Sequence, residues 1–144
     1  MTDIDADVIR NKLDAISDSL SALSSVGTVD RTSLTDDLLI AAAVERLLSR
    51  VVDLAVDINS HLSAAILDRA PGDYRESFDR AHETGAISRT LAAELKPSVG
   101  LRNAIVHEYV RLDHGIVAAA VPRALESYAD YQRQVAAFVL DRMQ

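Results

Sequence analysis

Between Thr35 and Arg69 the chain places Ile40, Val44, Leu47, Val51, Leu54, Ile58, Leu62 and Ala65 at spacings of three and four, with no Gly or Pro among them. Only a helix keeps such positions on one face. At about 1.5 Å per residue that helix would run on the order of 50 Å, so the rest of the fold must be arranged around it. Thr35, followed by Asp36 and Asp37, is its expected N-cap with acids in the first turn. Leu39, Leu48, Val52, Ala55 and Ile66 widen the apolar face beyond what one neighbouring helix covers. Part of that face is therefore expected to pack on a second copy, which makes a homodimer the expected state.

The flanking segments read the same way. Ile9, Leu13, Ile16, Leu20 and Leu23 form a narrow stripe that ends near Gly27. Ala70-Pro71-Gly72 is expected to stop the long helix, and Asp73 to cap a short one bearing Tyr74, Phe78 and Ala81 that Gly85 closes. Ser88 caps the next, which Pro97 should kink or end, with Ser98 starting a further turn. Val117, Val121, Leu125, Tyr128, Tyr131, Val135 and Phe138 define a last amphipathic helix, kinked or begun at Pro122. With only five Gly and three Pro to make turns, the expected fold is all-α: an antiparallel bundle of about five helices in a single domain spanning residues 1–144.

Composition narrows the function. Without Cys there are no disulfides, thiolate nucleophiles or Cys-based metal sites. The acidic start MTDIDADVIR is unlike a signal peptide and no apolar run reaches spanning length, so a cytoplasmic protein with no membrane association is expected. A net charge of −7 disfavours a broad electrostatic grip on nucleic acid, and any RNA contact must be local. His61, His82 and His114 lack metal-ligand spacing, no phosphate-cradling glycine loop occurs, and no cofactor or metal is expected.

One segment looks chemical: Leu101-Arg102-Asn103-Ala104-Ile105-Val106-His107-Glu108-Tyr109, an R-x4-H-x-Y arrangement with Asn directly after the Arg. Cleaving RNA through its own 2′-hydroxyl requires a proton acceptor, a proton donor for the departing 5′-oxygen, and positive charge on the phosphate. The imidazole of His107 can exchange protons near neutral pH, the fork of Arg102 can hold the phosphate, and Asn103 can orient either. On an ideal helix, however, Arg102 and His107 stand roughly 140° apart at about 100° per residue. Either the Arg side chain reaches around, or the helix deforms near Pro97 to Gly100, or the two groups act from different chains.

Here the sequence resembles the HepT-like branch of the HEPN superfamily, whose ribonucleases carry an Arg-polar-x3-His motif that the trailing Tyr extends. AVERLLSRVVDLAVDINSHL, YRESFDRAHETGAIS and VGLRNAIVHEYVRLD resemble the family's successive blocks in order. The resemblance implies a metal-independent endoribonuclease toxin of a type II/VII-like toxin–antitoxin system acting on tRNA or mRNA, with Arg102 and His107 catalytic and Asn103 supporting. It also implies a homodimer whose two motif copies face one cleft, and a cognate nucleotidyltransferase antitoxin that silences the toxin by adding AMP to Tyr109. Added bulk and negative charge beside Arg102 would exclude a substrate phosphate. The alternative is a non-catalytic helical partner or nucleotide-binding subunit of a minimal nucleotidyltransferase.

Each residue also has a plainer reading. Arg102 could be a surface ion-pair partner of Glu94 or Glu108, His107 a hydrogen-bonded helix residue, and Tyr109 a phenol at the edge of the core or in contact with phosphate. Glu45, Asp53 and Asp57 read as the solvated face of the long helix, with the option of lining a dimer cleft and tuning His107. Tyr128 and Tyr131 lie on an apolar stripe and read as core.

Overall fold

The computed structural model describes residues 3–107 and 112–143. Those residues form six α-helices and no strand: α1 (Ala6–Ser25), α2 (Arg31–Asp36), α3 (Leu38–Leu62), α4 (Tyr74–Glu83), α5 (Arg89–Val106) and α6 (His114–Arg142). The additional element relative to the expected five is α2. Its short length hides any periodicity, but Asp30 and Ser33 close a reciprocal capping box around its first turn. Thr35 belongs to α2, where its hydroxyl donates to the Arg31 carbonyl. The N-cap of α3 is instead Asp37, whose carboxylate accepts from Leu39 N and Ile40 N at 3.1 and 3.2 Å.

The breadth of the α3 apolar face has an internal cause. α3 is the central helix and packs against α1, α2, α4, α5 and α6. Of the residues that widen the face, Leu48, Val52 and Ala55 are buried in this chain's own core and Ile66 is half-buried against it, so most of that width is covered within one chain, and Leu39 is not. Of the helix's large apolar residues, Leu38 and Leu39 at its start remain in solvent, 74% and 84% exposed. The C-terminus of α3 comes before Ala70-Pro71-Gly72. It widens into a π-helical turn over Ser63–Leu67, and Asp68 then takes a left-handed conformation with φ 57°. The Ser63 hydroxyl donates to the Arg69 carbonyl at 2.6 Å and ties the turn shut.

Elsewhere the turn chemistry is as the sequence indicates. Gly27 and Gly85 adopt φ of 80° and 93°, where a Cβ would be strained, just past α1 and α4. Asp73 accepts from Glu76 N at 2.7 Å, and Ser88 accepts from Leu91 N at 3.1 Å. Pro97 and Pro122 sit inside α5 and α6 and end neither. Each removes one N–H from the ladder. In α5 the loss is outweighed by burial of Leu91, Ala92 and Leu95 before the proline and Val99 after it. Ser98 therefore starts no new turn; its hydroxyl lies 2.6 Å from both the Leu95 carbonyl and the Tyr128 hydroxyl.

One core runs through the bundle, with Phe78, Tyr128 and Tyr131 in edge-to-face contact at its centre. The Tyr131 hydroxyl donates to Asn59 Oδ1 at 2.6 Å. Asn59 Nδ2 donates to Ser77 Oγ at 3.2 Å, and Ser77 donates to the Tyr74 carbonyl at 2.7 Å. This buried chain couples α6, α3 and the first turn of α4, and no buried polar side-chain atom among the described residues lacks a partner. No helix among them is long and apolar enough to cross a membrane.

Candidate functional site

Three helices converge on Arg102. Its Nε donates to Asp53 Oδ1 of α3 at 2.8 Å, and its Nη1 donates to Asn103 Oδ1 at 3.3 Å. The guanidinium carbon stands 4.7 Å over the centroid of the Tyr74 ring at the start of α4. The Arg102 side chain is only 16% exposed and that of Asp53 35%, so this is a partly desolvated pair and not a freely solvated surface bridge. Among the described residues its ion-pair partner is Asp53 and not Glu94, which is exposed; Glu108 lies outside the described residues. No described residue accepts a hydrogen bond from the Nη2 of the fork.

Burial raises the Tyr74 phenol above its usual value near 10, and the Asp53 carboxylate beside it adds to the rise while Arg102 opposes it. Tyr74 is thus a neutral phenol whose ring face serves the cation. Asp57 pairs with Lys12 at 3.4 Å, and Glu45 lies half-buried on α3.

His107 is the C-cap of α5, with φ −105° and ψ 20°; its N–H donates to the Asn103 carbonyl at 2.9 Å. Because α5 ends at Val106, the ideal helical wheel does not fix the direction of His107. Its side chain is exposed, and no hydrogen bond joins it to Arg102 or Asn103. The structure thus gathers Arg102 and Asn103 with Asp53 and Tyr74, and leaves His107 exposed at the end of the same helix. Tyr109 lies outside the described residues. The other histidines are occupied structurally: His61 Nε2 accepts from Asp5 N, His114 Nδ1 bonds the Thr35 hydroxyl, and His82 Nδ1 bonds the Ile87 carbonyl, each at 3.0 Å. Among the described residues no group of three His, Asp or Glu side chains is placed to hold a metal ion.

Beside Arg102 an apolar cavity of about 370 Å³ opens between α3, α5 and α6, with Leu48, Val52, Leu95 and Ile116 among its lining residues. Arg102 and Arg123 also line it. Arg75 of α4 reaches over Gly100, where an added Cβ would meet its Nη2 at 3.0 Å. Sequence reasoning missed Tyr74 as part of the site. The cap at Asp73 located it at the start of a helix, but nothing in its local pattern pointed toward α5.

Comparison with known proteins places the chain among relatives. The model of a family described as "Ribonuclease HepT-like" matches residues 9–135. A tRNA nuclease HepT of Aphanizomenon flos-aquae is 31% identical over 143 residues, covering 97% of this chain and 95% of that protein. An mRNA nuclease HepT of Shewanella oneidensis is 29% identical over 125 residues, with 87% and 93% covered. Among solved structures, a tri-AMPylated HEPN toxin of Shewanella oneidensis in complex with an MNT antitoxin superposes with a TM-score of 0.81 at 28% identity, covering 91% of this chain and 98% of that one. The cytosolic protein YutE of Bacillus subtilis shares the fold, with a TM-score of 0.83 at 17% identity, covering 99% of this chain and 96% of that one.

Proposed function

Since the chain belongs to the HepT-like ribonuclease family, we propose that it is a toxin that cuts RNA through Arg102 and His107 without a metal ion. The observation that carries this reading is the preorganised cation: Arg102 is held from three sides by Asp53, Asn103 and Tyr74, on the same helix that presents an exposed His107 at its end. A fixed guanidinium stabilises charge as it develops on a phosphate, with little reorganisation.

In the reaction, one base removes the 2′-hydroxyl proton as O2′ bonds to phosphorus. The bond from phosphorus to O5′ then breaks, and the departing oxygen takes a proton. The products are a 2′,3′-cyclic phosphate and a 5′-hydroxyl end. A single imidazole cannot be base and acid in one step, so a second His107 from a homodimer mate completes the set. Asn103 steadies the Arg102 fork. Arg75, Arg102 and Arg123 provide the local positive charge that an acidic chain needs to hold RNA.

The antitoxin is a nucleotidyltransferase of the kind bound to the Shewanella toxin, and Tyr109 is the residue it modifies with AMP. The toxin acts in the cytoplasm, as one domain over residues 1–144. Because one relative is named for tRNA and another for mRNA, both are substrates to try.

The test is incubation of the purified protein with tRNA and with mRNA in EDTA, beside His107→Ala. The wild type is expected to leave cyclic-phosphate ends and the variant none. His107 is exposed, so the substitution should leave folding within about 0.5 kcal/mol. A folded His107→Ala protein that still cuts would overturn the assignment of His107. If neither protein cuts while a tight complex with the transferase forms, the chain is a binding subunit instead.

A further inference from the structure

We propose that the apolar cavity beside Arg102 takes one unstacked nucleobase of the RNA strand whose phosphate Arg102 holds, an inference that rests on the ribonuclease reading above. The cavity lies between α3, α5 and α6 and measures about 370 Å³, within the range of roughly 300–1,000 Å³ usual for small-ligand sites. It is an open groove and not a packing defect, since Ile116 on its wall is 58% exposed. Leu48, Val52 and Leu95 supply apolar surface from the core side, and Ala120 and Ala124 keep the α6 side thin. A planar base fits such walls.

Charge selects this occupant over an apolar protein segment. Two guanidiniums line the cavity, Arg102 and Arg123, in a chain whose net charge is −7. Among the described residues Arg123 forms no ion pair, and its hydrogen bond there is a long one of 3.4 Å to the Ala119 carbonyl of its own helix. Arg102 is paired with Asp53 through Nε only, and an apolar side chain from another protein would gain nothing from its outer N–H groups or from Arg123. A nucleotide in a strand carries a phosphate on each side of its base, and single-stranded RNA is read by splaying bases into pockets while cations follow the backbone. Glu94 is the carboxylate on the rim. It opposes a phosphate at its own position but can accept from the exocyclic amino group of a base.

Arg102 and the cavity then have separate roles. Its fork holds the phosphate, and the cavity beside it fixes which nucleotide stands next to the bond that breaks. A site of this kind gives a cleavage preference without any aromatic stacking platform; Tyr128, which also lines the cavity, is buried and 1% exposed.

The test is fluorescence-anisotropy binding of a short 2′-O-methyl RNA, which cannot be cut through its 2′-oxygen, together with a series carrying one abasic position at each site in turn. Wild type is expected to lose about tenfold in affinity when one particular base is removed. Ala120→Leu, which fills the cavity, should bind the intact RNA as weakly as wild type binds that abasic strand, with no further loss on the abasic strand. Ile116→Ser alters an exposed wall residue and should give the same pattern more weakly, so the test survives a folding failure of Ala120→Leu. The proposal fails if no abasic position matters, or if folded variants bind every strand as wild type does. It also fails if Ala120→Leu turns a dimer into a monomer in sedimentation, because the groove is then an interface between copies. Binding does not require cleavage, so an RNA-binding protein that never cuts would refute the ribonuclease reading and leave the cavity assignment intact.

Discussion

A guanidinium over a neutral ring is held by the quadrupole of the ring face and by the exclusion of water beneath it. Tyr74 supplies that face to Arg102, and Asp53 fixes the fork in plane through Nε. The ring face is the part that touches the guanidinium, while the hydroxyl interacts with Asp53. Tyr74→Phe is expected to cleave RNA within about twofold of wild type, whereas Tyr74→Leu should lose about tenfold in kcat with its helical circular dichroism unchanged. Equal rates for Leu and Phe would show that Asp53 alone positions the cation. At this scale the sequence was partly legible. Arg102, Asn103 and His107 stand within one short motif, whereas Asp53 reads as part of the long helix's solvated face and pairs instead with Arg102. Tyr74 could not be found this way, because its contact with Arg102 joins segments 28 residues apart in the chain and depends on how α4 docks on α5.

Within the elements, the buried polar chain from Tyr131 through Asn59 and Ser77 fixes α6, α3 and α4 in register. Tyr131→Phe deletes the donor to Asn59 Oδ1 and leaves that oxygen buried without its partner, a cost of about 1–3 kcal/mol. Thermal unfolding should show a Tm lower by several degrees. An unchanged Tm would mean that Asn59 finds another donor. Caps and turn glycines were legible because each acts through its immediate neighbours, as at Asp73, Ser88, Gly27 and Gly85. The prolines were legible only in part: each reads as a kink or a helix boundary, and neither is a boundary. A proline signals a broken ladder locally, but Pro97 and Pro122 lie in helices whose flanking apolar residues are buried by tertiary packing, which the local pattern cannot weigh. The start of α3 was misplaced for a related reason: the Thr35 hydroxyl turns back on α2, and the competing acid two residues later takes the cap.

For the whole molecule, the buried phenols set an alkaline limit. Burial raises Tyr128 and Tyr131 above the usual value near 10, more than the Ser98 bond offsets at Tyr128. Above about pH 10 the unfolded chain gives up protons that the folded chain keeps, so the unfolded state binds fewer protons and stability falls with rising pH. Urea midpoints should be level below that pH and drop beyond it, with tyrosinate absorbance from these two residues appearing only as the protein unfolds. A titration in which all four tyrosines ionise while the fold persists would contradict this.

The coverage of α3 by its own neighbours has a consequence for dose. A helix whose apolar face is covered inside one chain everywhere but at Leu38 and Leu39 can fold without a second chain, so folding and pairing become separate equilibria. If two His107 side chains complete one cleft, the protein is an intact but idle monomer when scarce and becomes potent when copies accumulate. Specific activity should then rise with protein concentration while helical content stays flat, and activity strictly proportional to concentration at every dilution would rule the paired cleft out. The cell would meet a threshold: a few unpaired copies would be tolerated, and harm would begin when synthesis outruns pairing.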